Sequence, residues 1–169
     1  MNKHQAGEVL LWLFVIWVGI QFGAGLYEKQ IVVPQWSNVP PEEVGDALSR
    51  SGQESSALKF WAFVSPPVAL LALANAVVAW RTTGRRRKWW LAASIIMVIY
   101  RIFTYTYFVP KMIWLWQAET LPASEVESTV FWWVRLNYVR MIIGACGWLA
   151  ALKALSLSNC GENKFETAT

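Results

Sequence analysis

Four long apolar segments determine what this chain can fold into. They cover residues 9–26, 60–80, 89–109 and 130–152. Each approaches the roughly 20 residues that an α-helix needs to cross the hydrocarbon core of a bilayer, and a helix satisfies its own backbone hydrogen bonds where lipid cannot. The sequence therefore predicts an all-α protein with four transmembrane helices in residues 1–157, followed by a polar tail in residues 158–169.

The composition supports a lipid-embedded protein over a soluble one. Apolar residues make up 56% of the chain and charged residues only 15%, against about a quarter in ordinary soluble domains. The net charge of +4 comes from basic residues beside apolar segments, without a nucleic-acid-binding motif, so we expect the lipid bilayer and no nucleic acid as partner. The first apolar segment is too long for a signal peptide and lacks a small-residue cleavage site, so we interpret it as a retained helix.

Basic residues indicate the orientation of the four helices. The link over residues 81–88 carries five basic residues and no acidic one, whereas the other two links are mainly acidic. Because basic links stay in the cytoplasm, an even number of spans predicts both termini to be cytoplasmic. The expected protein is integral and multi-pass, in a plasma or bacterial inner membrane.

The links also indicate how the helices are arranged. The short basic link predicts antiparallel neighbours and an up-down-up-down bundle. In the first outer link, Pro40 and Pro41 followed by two glutamates are typical of a helix start. We therefore expect a short extracytoplasmic helix through Leu48.

The sequence contains few side chains that could bind a metal ion or a redox cofactor. Its only histidine is His4, and its two cysteines are Cys146 and Cys160, far apart in the predicted topology. No group of residues has the spacing of a metal site, and a disulfide between these cysteines is not expected. The sequence thus predicts a protein without cofactor or metal.

Arginines inside two of the apolar segments are the most informative residues for function. Arg101 lies in the third segment and Arg140 in the fourth, where a central arginine costs about 2.5–3.5 kcal/mol on insertion scales. At helical spacing each shares a face with other polar or aromatic residues. These are Thr104, Tyr105 and Phe108 for Arg101, and Trp133 and Asn137 for Arg140.

These two faces and the outer end of the first segment predict a common pocket. That end carries Gln21 and Glu28, and Glu28 is the only carboxylate adjoining it. Two arginines beside one acid leave spare positive charge, which favours an anionic or enolate-like guest in the outer half of the bundle. A purely structural alternative stays open, in which the arginines pair with Glu28, with acids of the loops, or with carbonyls freed by Pro66 and Pro67.

Other residues in the segments have structural interpretations. Asn75 is interpreted as a link between helices, and Gly19 and Gly23 as positions of close helix packing. Trp133 is expected inside the bundle. Six tryptophans are interpreted as interface anchors: Trp36, Trp80, Trp89, Trp90, Trp114 and Trp116.

Three stretches of the sequence resemble a family of small four-helix membrane proteins that includes anthrone oxygenases. They are Gly23-Ala24-Gly25 with Val33-Pro34, Phe108-Val109-Pro110, and Trp133-Val134-Arg135-Leu136-Asn137-Tyr138-Val139-Arg140. The resemblance extends over nearly the whole chain. Where the family commonly has Pro-Ile-Asn after the third span, this chain has Pro110-Lys111-Met112.

The resemblance implies an activity and roles for the pocket residues. Characterised members oxidise phenolic polycyclic anthrones to quinones with molecular oxygen, without metal or flavin. By this likeness the chain would be a cofactor-independent monooxygenase acting on phenolic polycyclic or quinol-like substrates. The roles that follow are enolate stabilisation by Arg140 and Arg101, proton abstraction by Glu28 or Tyr105, and orientation by Asn137; the other expected substrate-binding residues are Trp133, Thr104 and Phe108.

Two further classes of function stay open at this point. The protein could bind an amphiphilic anion such as a lipid or quinol without transforming it. It could also be a structural or assembly subunit of a membrane complex, with its polar face as the interface. A homo-oligomer is compatible with all three.

Overall fold

The computed structural model describes residues 3–158, and the side chains of residues 5–157. Within residues 3–158 the chain forms helices and no strand. The predicted polar tail lies outside the described residues except for Ser158, and so do Cys160 and the side chain of His4.

Seven α-helices and three π-helical turns build the bundle. The α-helices are α1 (Lys3–Tyr27), α2 (Val33–Ser37), α3 (Val44–Arg50), α4 (Leu58–Arg81), α5 (Arg85–Phe103), α6 (Val109–Leu115) and α7 (Ala123–Ser158). The π turns Glu28–Val32, Gln53–Ala57 and Thr104–Phe108 join α1 to α2, precede α4, and join α5 to α6. α3 is preceded by a 3₁₀ turn at Pro41–Glu43, so the short helix predicted through Leu48 is confirmed.

Four continuous helices are long and apolar enough to cross a membrane. They cover Gln5–Ser37, Gln53–Arg81, Arg85–Leu115 and Ala123–Leu157. The predicted four-helix transmembrane fold is therefore confirmed, although every helix extends beyond its predicted apolar segment. These extensions add the π turns and short helices at one end of the bundle.

The long helices form a closed ring in which sequence neighbours pack against each other. α1 packs against α4 and α7, and α5 packs against the same two helices. This is the up-down-up-down arrangement. Gly84 permits the tight reversal between α4 and α5 because it adopts a φ of 89°, which favours glycine. We call the end that carries this link the basic end, and the opposite end, with α2, α3 and α6, the cap end; their sides of the membrane stay a prediction.

At the basic end the helices pack through an apolar cluster. Leu11, Phe14 and Met97 are fully buried there, together with small residues that allow the backbones to approach closely. The buried Asn75 donates to the carbonyls of Leu10 and Leu71, at 3.3 and 2.8 Å, which fits its interpretation as a link between helices.

Trp90 also belongs to this cluster. Its indole Nε1 donates to Asn75 Oδ1 at 2.7 Å, and the side chain is buried. Its interpretation as an interface anchor was wrong, because the amide of Asn75 supplies inside the bundle the polar partner that an anchor would find at the interface.

A second apolar cluster lies at the cap end, where α2 and α6 pack against α7 and α3 packs against α2. Trp36 is fully buried in it, with its ring centroid 5.1 Å from that of Trp133. The expected burial of Trp133 is confirmed, whereas the interpretation of Trp36 as an anchor was wrong. Trp80 and Trp89, at the basic end, are exposed to the surroundings of the bundle.

Candidate functional site

Between the two clusters lies a layer of buried polar side chains. All four long helices contribute to it. We call it the polar layer, and it consists of Gln21, Glu28, Gln53, Ser65, Arg101, Thr104, Asn137 and Arg140. Burying such groups is unfavourable unless each has a hydrogen-bond partner. The groups that lack a partner are therefore the candidates for binding a ligand.

Arg101 connects three helices of the bundle. Its Nη1 donates to Ser65 Oγ on α4 at 3.0 Å, and its Nη2 donates to Gln21 Oε1 on α1. Its Nε is buried without an acceptor among the described residues. Both partners are neutral, so the positive charge of Arg101 is hydrogen-bonded but not neutralised.

Arg140 is held on one side and free on the other. Its Nε donates to Asn137 Oδ1 at 3.0 Å, and the guanidinium lies 4.3 Å from the centroid of Phe108 and 5.9 Å from that of Trp133. Such cation–π contacts stabilise a desolvated charge. Its two Nη groups have no hydrogen-bond partner within the described part of the chain.

Glu28 is the one carboxylate of the polar layer, and it is 6% exposed. It begins the first π turn, and its Oε1 accepts a hydrogen bond of 2.6 Å from Nε2 of Gln53, which begins the second π turn. Among the described side chains, no carboxylate forms an ion pair with Arg101 or Arg140. The structural alternative in which these arginines pair with Glu28 is therefore wrong; their partners are the neutral side chains of Gln21, Ser65 and Asn137.

A cavity of about 130 Å³ opens between these groups. Six of the eight residues predicted for the site line it: Glu28, Thr104, Tyr105, Phe108, Trp133 and Arg140. Its wall thus combines one carboxylate, one guanidinium with free N–H groups, and aromatic rings. Thr104 adds a hydroxyl, which donates to the carbonyl of Tyr100 at 2.8 Å and keeps its lone pairs for an incoming donor.

Two predicted site residues lie behind the cavity wall. Neither Arg101 nor Asn137 lines the cavity, but each hydrogen-bonds a residue that does: Arg101 donates to Ser65, and Asn137 accepts from Arg140. Tyr105 does line the cavity, but its side chain is 48% exposed and forms part of the rim. The prediction assumed α-helical spacing, and the π turn at Thr104–Phe108 changes which residues share a face.

Several lining residues could not be identified from the sequence. Gln53 lies in the link between the first two apolar segments, beyond the short helix predicted there, and nothing at the sequence level places it against Glu28. Ser65 had a weak signal, since it directly precedes Pro66 and Pro67 in an apolar run. The remaining unpredicted lining residues are apolar or aromatic: Leu58, Trp61, Val109, Met112, Ile113 and Trp116.

All three π turns contribute residues to the cavity wall, namely Glu28, Gln53 and the residues of Thr104–Phe108. Single π turns inside α-helices occur frequently at functional sites. A second cavity, of about 340 Å³, lies on the other side of Glu28 and Trp61, which line both cavities.

The chain matches no protein-family model, no curated protein and no solved structure. The resemblance to the anthrone oxygenases therefore stays a prediction.

Proposed function

We propose that this membrane protein oxidises phenolic polycyclic or quinol-like molecules with molecular oxygen, without a cofactor of its own. The observation that supports the proposal most directly is the pair of opposite charges in the cavity wall. Glu28 and Arg140 line the same aromatic cavity without pairing with each other. Unpaired charges at membrane depth are unfavourable and are by default a hypothesis of function.

The chemistry assigns Glu28 and Arg140 separate tasks. Glu28 is the general base that removes a proton from an activated C–H or a phenolic O–H of the guest. Arg140 directs its free Nη groups at the oxygen on which negative charge develops, and so stabilises the enolate or phenolate. The rings of Phe108 and Trp133, whose centroids are 5.4 Å apart, flank the guest.

The resulting anion is electron-rich enough to react with oxygen directly. With an anthrone, one oxygen atom becomes the new carbonyl and the other leaves as water. With a hydroquinone, two electrons and two protons pass to oxygen, which gives a quinone and hydrogen peroxide. The resemblance to anthrone oxygenases implies the first of these reactions.

Residues behind the wall have positioning roles in this proposal. Asn137 fixes the guanidinium of Arg140 through its Nε. Arg101 fixes Ser65 and contributes positive charge near Arg140, with which it interacts electrostatically. Tyr105, at the rim, also interacts with Arg101 and is the alternative proton acceptor.

Binding of an amphiphilic anion without chemistry is the second candidate. One observation favours it: the amide of Gln53 already occupies one oxygen of Glu28, which leaves a single carboxylate oxygen for a guest. In this case the same cavity would bind a phenolate and release it unchanged.

Oxygen uptake by the purified protein in nanodiscs, given a panel of anthrones and hydroquinones, tests the proposal. We expect Arg140→Met and Glu28→Gln each to lower turnover by about 100-fold. Matched controls are Arg135→Met, an exposed arginine of α7, and Glu125→Gln, an exposed glutamate of the same helix. Both controls should keep wild-type turnover.

Two results would overturn the oxidation. Wild-type turnover in both cavity variants would show that the reaction occurs elsewhere. Saturable binding of a panel member, lost in Arg140→Met but without any oxygen uptake, would replace the oxidation by the second candidate.

A further inference from the structure

The cavity opens towards the surroundings of the bundle through one side. Four of its lining residues are between 39% and 49% exposed: Leu58, Tyr105, Val109 and Ile113. Leu58 begins α4, and the other three lie on the continuous helix Arg85–Leu115. The mouth is therefore a gap between two candidate membrane spans, and its rim is apolar or aromatic.

The depth of this mouth follows from helix geometry. Tyr105 lies 16 residues beyond Trp89, which is about 24 Å along a helix with a rise of 1.5 Å per residue. Leu58 lies 22 residues from Trp80, or about 33 Å by the same estimate. With a hydrocarbon core of about 30 Å, the mouth lies at the cap-end boundary between hydrocarbon and headgroups.

The volume of the cavity limits the size of the group inside it. Its 130 Å³ is close to the volume of about 150 Å³ at which an apolar cavity holds a benzene molecule. One aromatic ring fills such a space, whereas three fused rings need far more room. Any further part of the guest has to extend through the mouth.

The cavity wall has polar groups that could form hydrogen bonds with the substituents of a single aromatic ring. The indole Nε1 groups of Trp116 and Trp133 have no acceptor among the described residues. Together with the free Nη groups of Arg140 they supply donors, and Glu28 supplies an acceptor. Such a set suits a hydroquinone ring, with one oxygen at these donors and the other at the carboxylate, or a phenolate with its single oxygen at the donors.

We infer that the guest is a single-ring phenol or hydroquinone with an apolar tail, which enters from the bilayer between α4 and α6. The ring occupies the cavity beside Arg140 and Glu28, while the tail stays in the lipid beyond Leu58 and Val109. The inference rests on the proposed function for the chemistry of the site; of the two substrate classes proposed there it selects the quinol-like one and excludes the polycyclic one, and it specifies the route of entry. An amphiphile of this kind already places its polar ring at the depth of the mouth.

Binding in nanodiscs tests the inference with three probes: 4-dodecylphenol, 4-ethylphenol and anthrone. Dissociation constants are expressed per mole fraction of probe in the lipid, so that partitioning into the bilayer does not count as affinity. We expect 4-dodecylphenol to bind at least tenfold more tightly than anthrone. 4-Ethylphenol should bind within about threefold of 4-dodecylphenol on this scale, because the ring makes the contacts.

Variants of the rim test the route. Val109→Trp and Leu58→Trp each place a large side chain in the mouth, and we expect either to weaken 4-dodecylphenol binding at least tenfold. Ile99→Trp is the matched control, because Ile99 is exposed to the same degree on α5 but away from the cavity. It should leave the affinity unchanged.

The outcomes separate this inference from the proposed function. Equal affinity for anthrone and 4-dodecylphenol, or unchanged affinity in both rim variants, would overturn the inference, even if anthrone is oxidised in an Arg140-dependent reaction. Rim-dependent binding of 4-dodecylphenol, together with no oxygen uptake by any hydroquinone of the panel, including one that carries a dodecyl chain, would support the inference and contradict the oxidation.

Discussion

The two halves of the bundle differ in how they accommodate buried polar side chains. At the basic end, the buried polar residues Asn75 and Ser94 use their side chains within the bundle: the Asn75 amide donates to two carbonyls and accepts from Trp90, and the Ser94 hydroxyl donates to the carbonyl of Trp90. At the cap end, eight polar residues form a layer in which Arg140 and Glu28 keep unused hydrogen-bonding groups. In one half, the side chain of Asn75 links the helices to each other. In the other half, some hydrogen-bonding groups of the polar side chains have no partner among the described residues.

The distribution of unsatisfied buried atoms supports this contrast. At the cap end, within the described residues, they belong to Trp36, Gln53, Arg101, Trp116 and Trp133. At the basic end they belong to Arg86, whose Nη1 pairs with Glu8, and to Trp148. Unsatisfied groups are costly where water is absent, and three of the cap-end residues, Gln53, Trp116 and Trp133, line the cavity.

The largest expected effect separates packing from binding. Phe14→Ala removes a fully buried ring of the basic-end cluster and should lower the free energy of unfolding by about 3 kcal/mol. The affinity for 4-dodecylphenol should stay within about twofold. The measurements are equilibrium unfolding in mixed micelles and binding in nanodiscs.

Phe108→Ala is the counterpart of this variant at the cap end. Phe108 contacts the guanidinium of Arg140 and lines the cavity, so we expect at least tenfold weaker binding. A loss of affinity in Phe14→Ala as large as that in Phe108→Ala would contradict the independence of the two halves.

A smaller effect is expected from the partner of Arg101. Gln21→Leu removes the acceptor of a charge-assisted hydrogen bond and should cost about 1.5–3 kcal/mol of unfolding free energy. The double variant Gln21→Leu with Arg101→Leu should recover most of this loss, because apolar groups then replace both partners. Gln35→Leu, at an exposed position on the same continuous helix, is the control.

A double variant that loses as much stability as the sum of the two single variants would contradict this account. It would mean that Arg101 stabilises the bundle through contacts other than the one with Gln21.

The smallest expected effect concerns helix packing near the polar layer. A Cβ added at Gly19 would lie 3.2 Å from Nε1 of Trp148, whereas one added at Gly23 meets nothing within 4 Å. Gly19→Ala should therefore lower stability, and Gly23→Ala should change it by less than about 1 kcal/mol in the favourable direction. Equal destabilisation by both variants would point to a second chain packed on Gly23.

Much of the fold was predictable because lipid restricts the choices. Apolar length determines the four spans, and the short basic link determines the antiparallel pair. The positions of the tryptophans were harder to predict, because Trp36 and Trp90 have the sequence surroundings of interface anchors. Their burial depends on α2 folding over the cap end and on the amide of Asn75, and both are tertiary features.

The candidate site was predictable where α-helical spacing holds. Trp133 and Arg140 on α7 line the cavity as expected. On the third span, which contains the π turn at Thr104–Phe108, Arg101 does not line the cavity and Tyr105 lies at its rim. Gln53 was beyond prediction, because its contact with Glu28 depends on the path of the whole first link.

The three π turns have a consequence for how such a chain can change by insertion and deletion. A π turn closes its hydrogen bond one residue later than an α turn, so deleting one codon within Glu28–Val32 would restore a continuous α-helix. The residues from the deletion to the end of this continuous helix at Ser37 would then rotate by about 100°, and Trp36 would turn away from Trp133. The four long apolar helices would keep nearly all of their length, but Trp133 in the cavity wall would lose a ring that packs against it, so the number of residues in this turn matters as much as their identity.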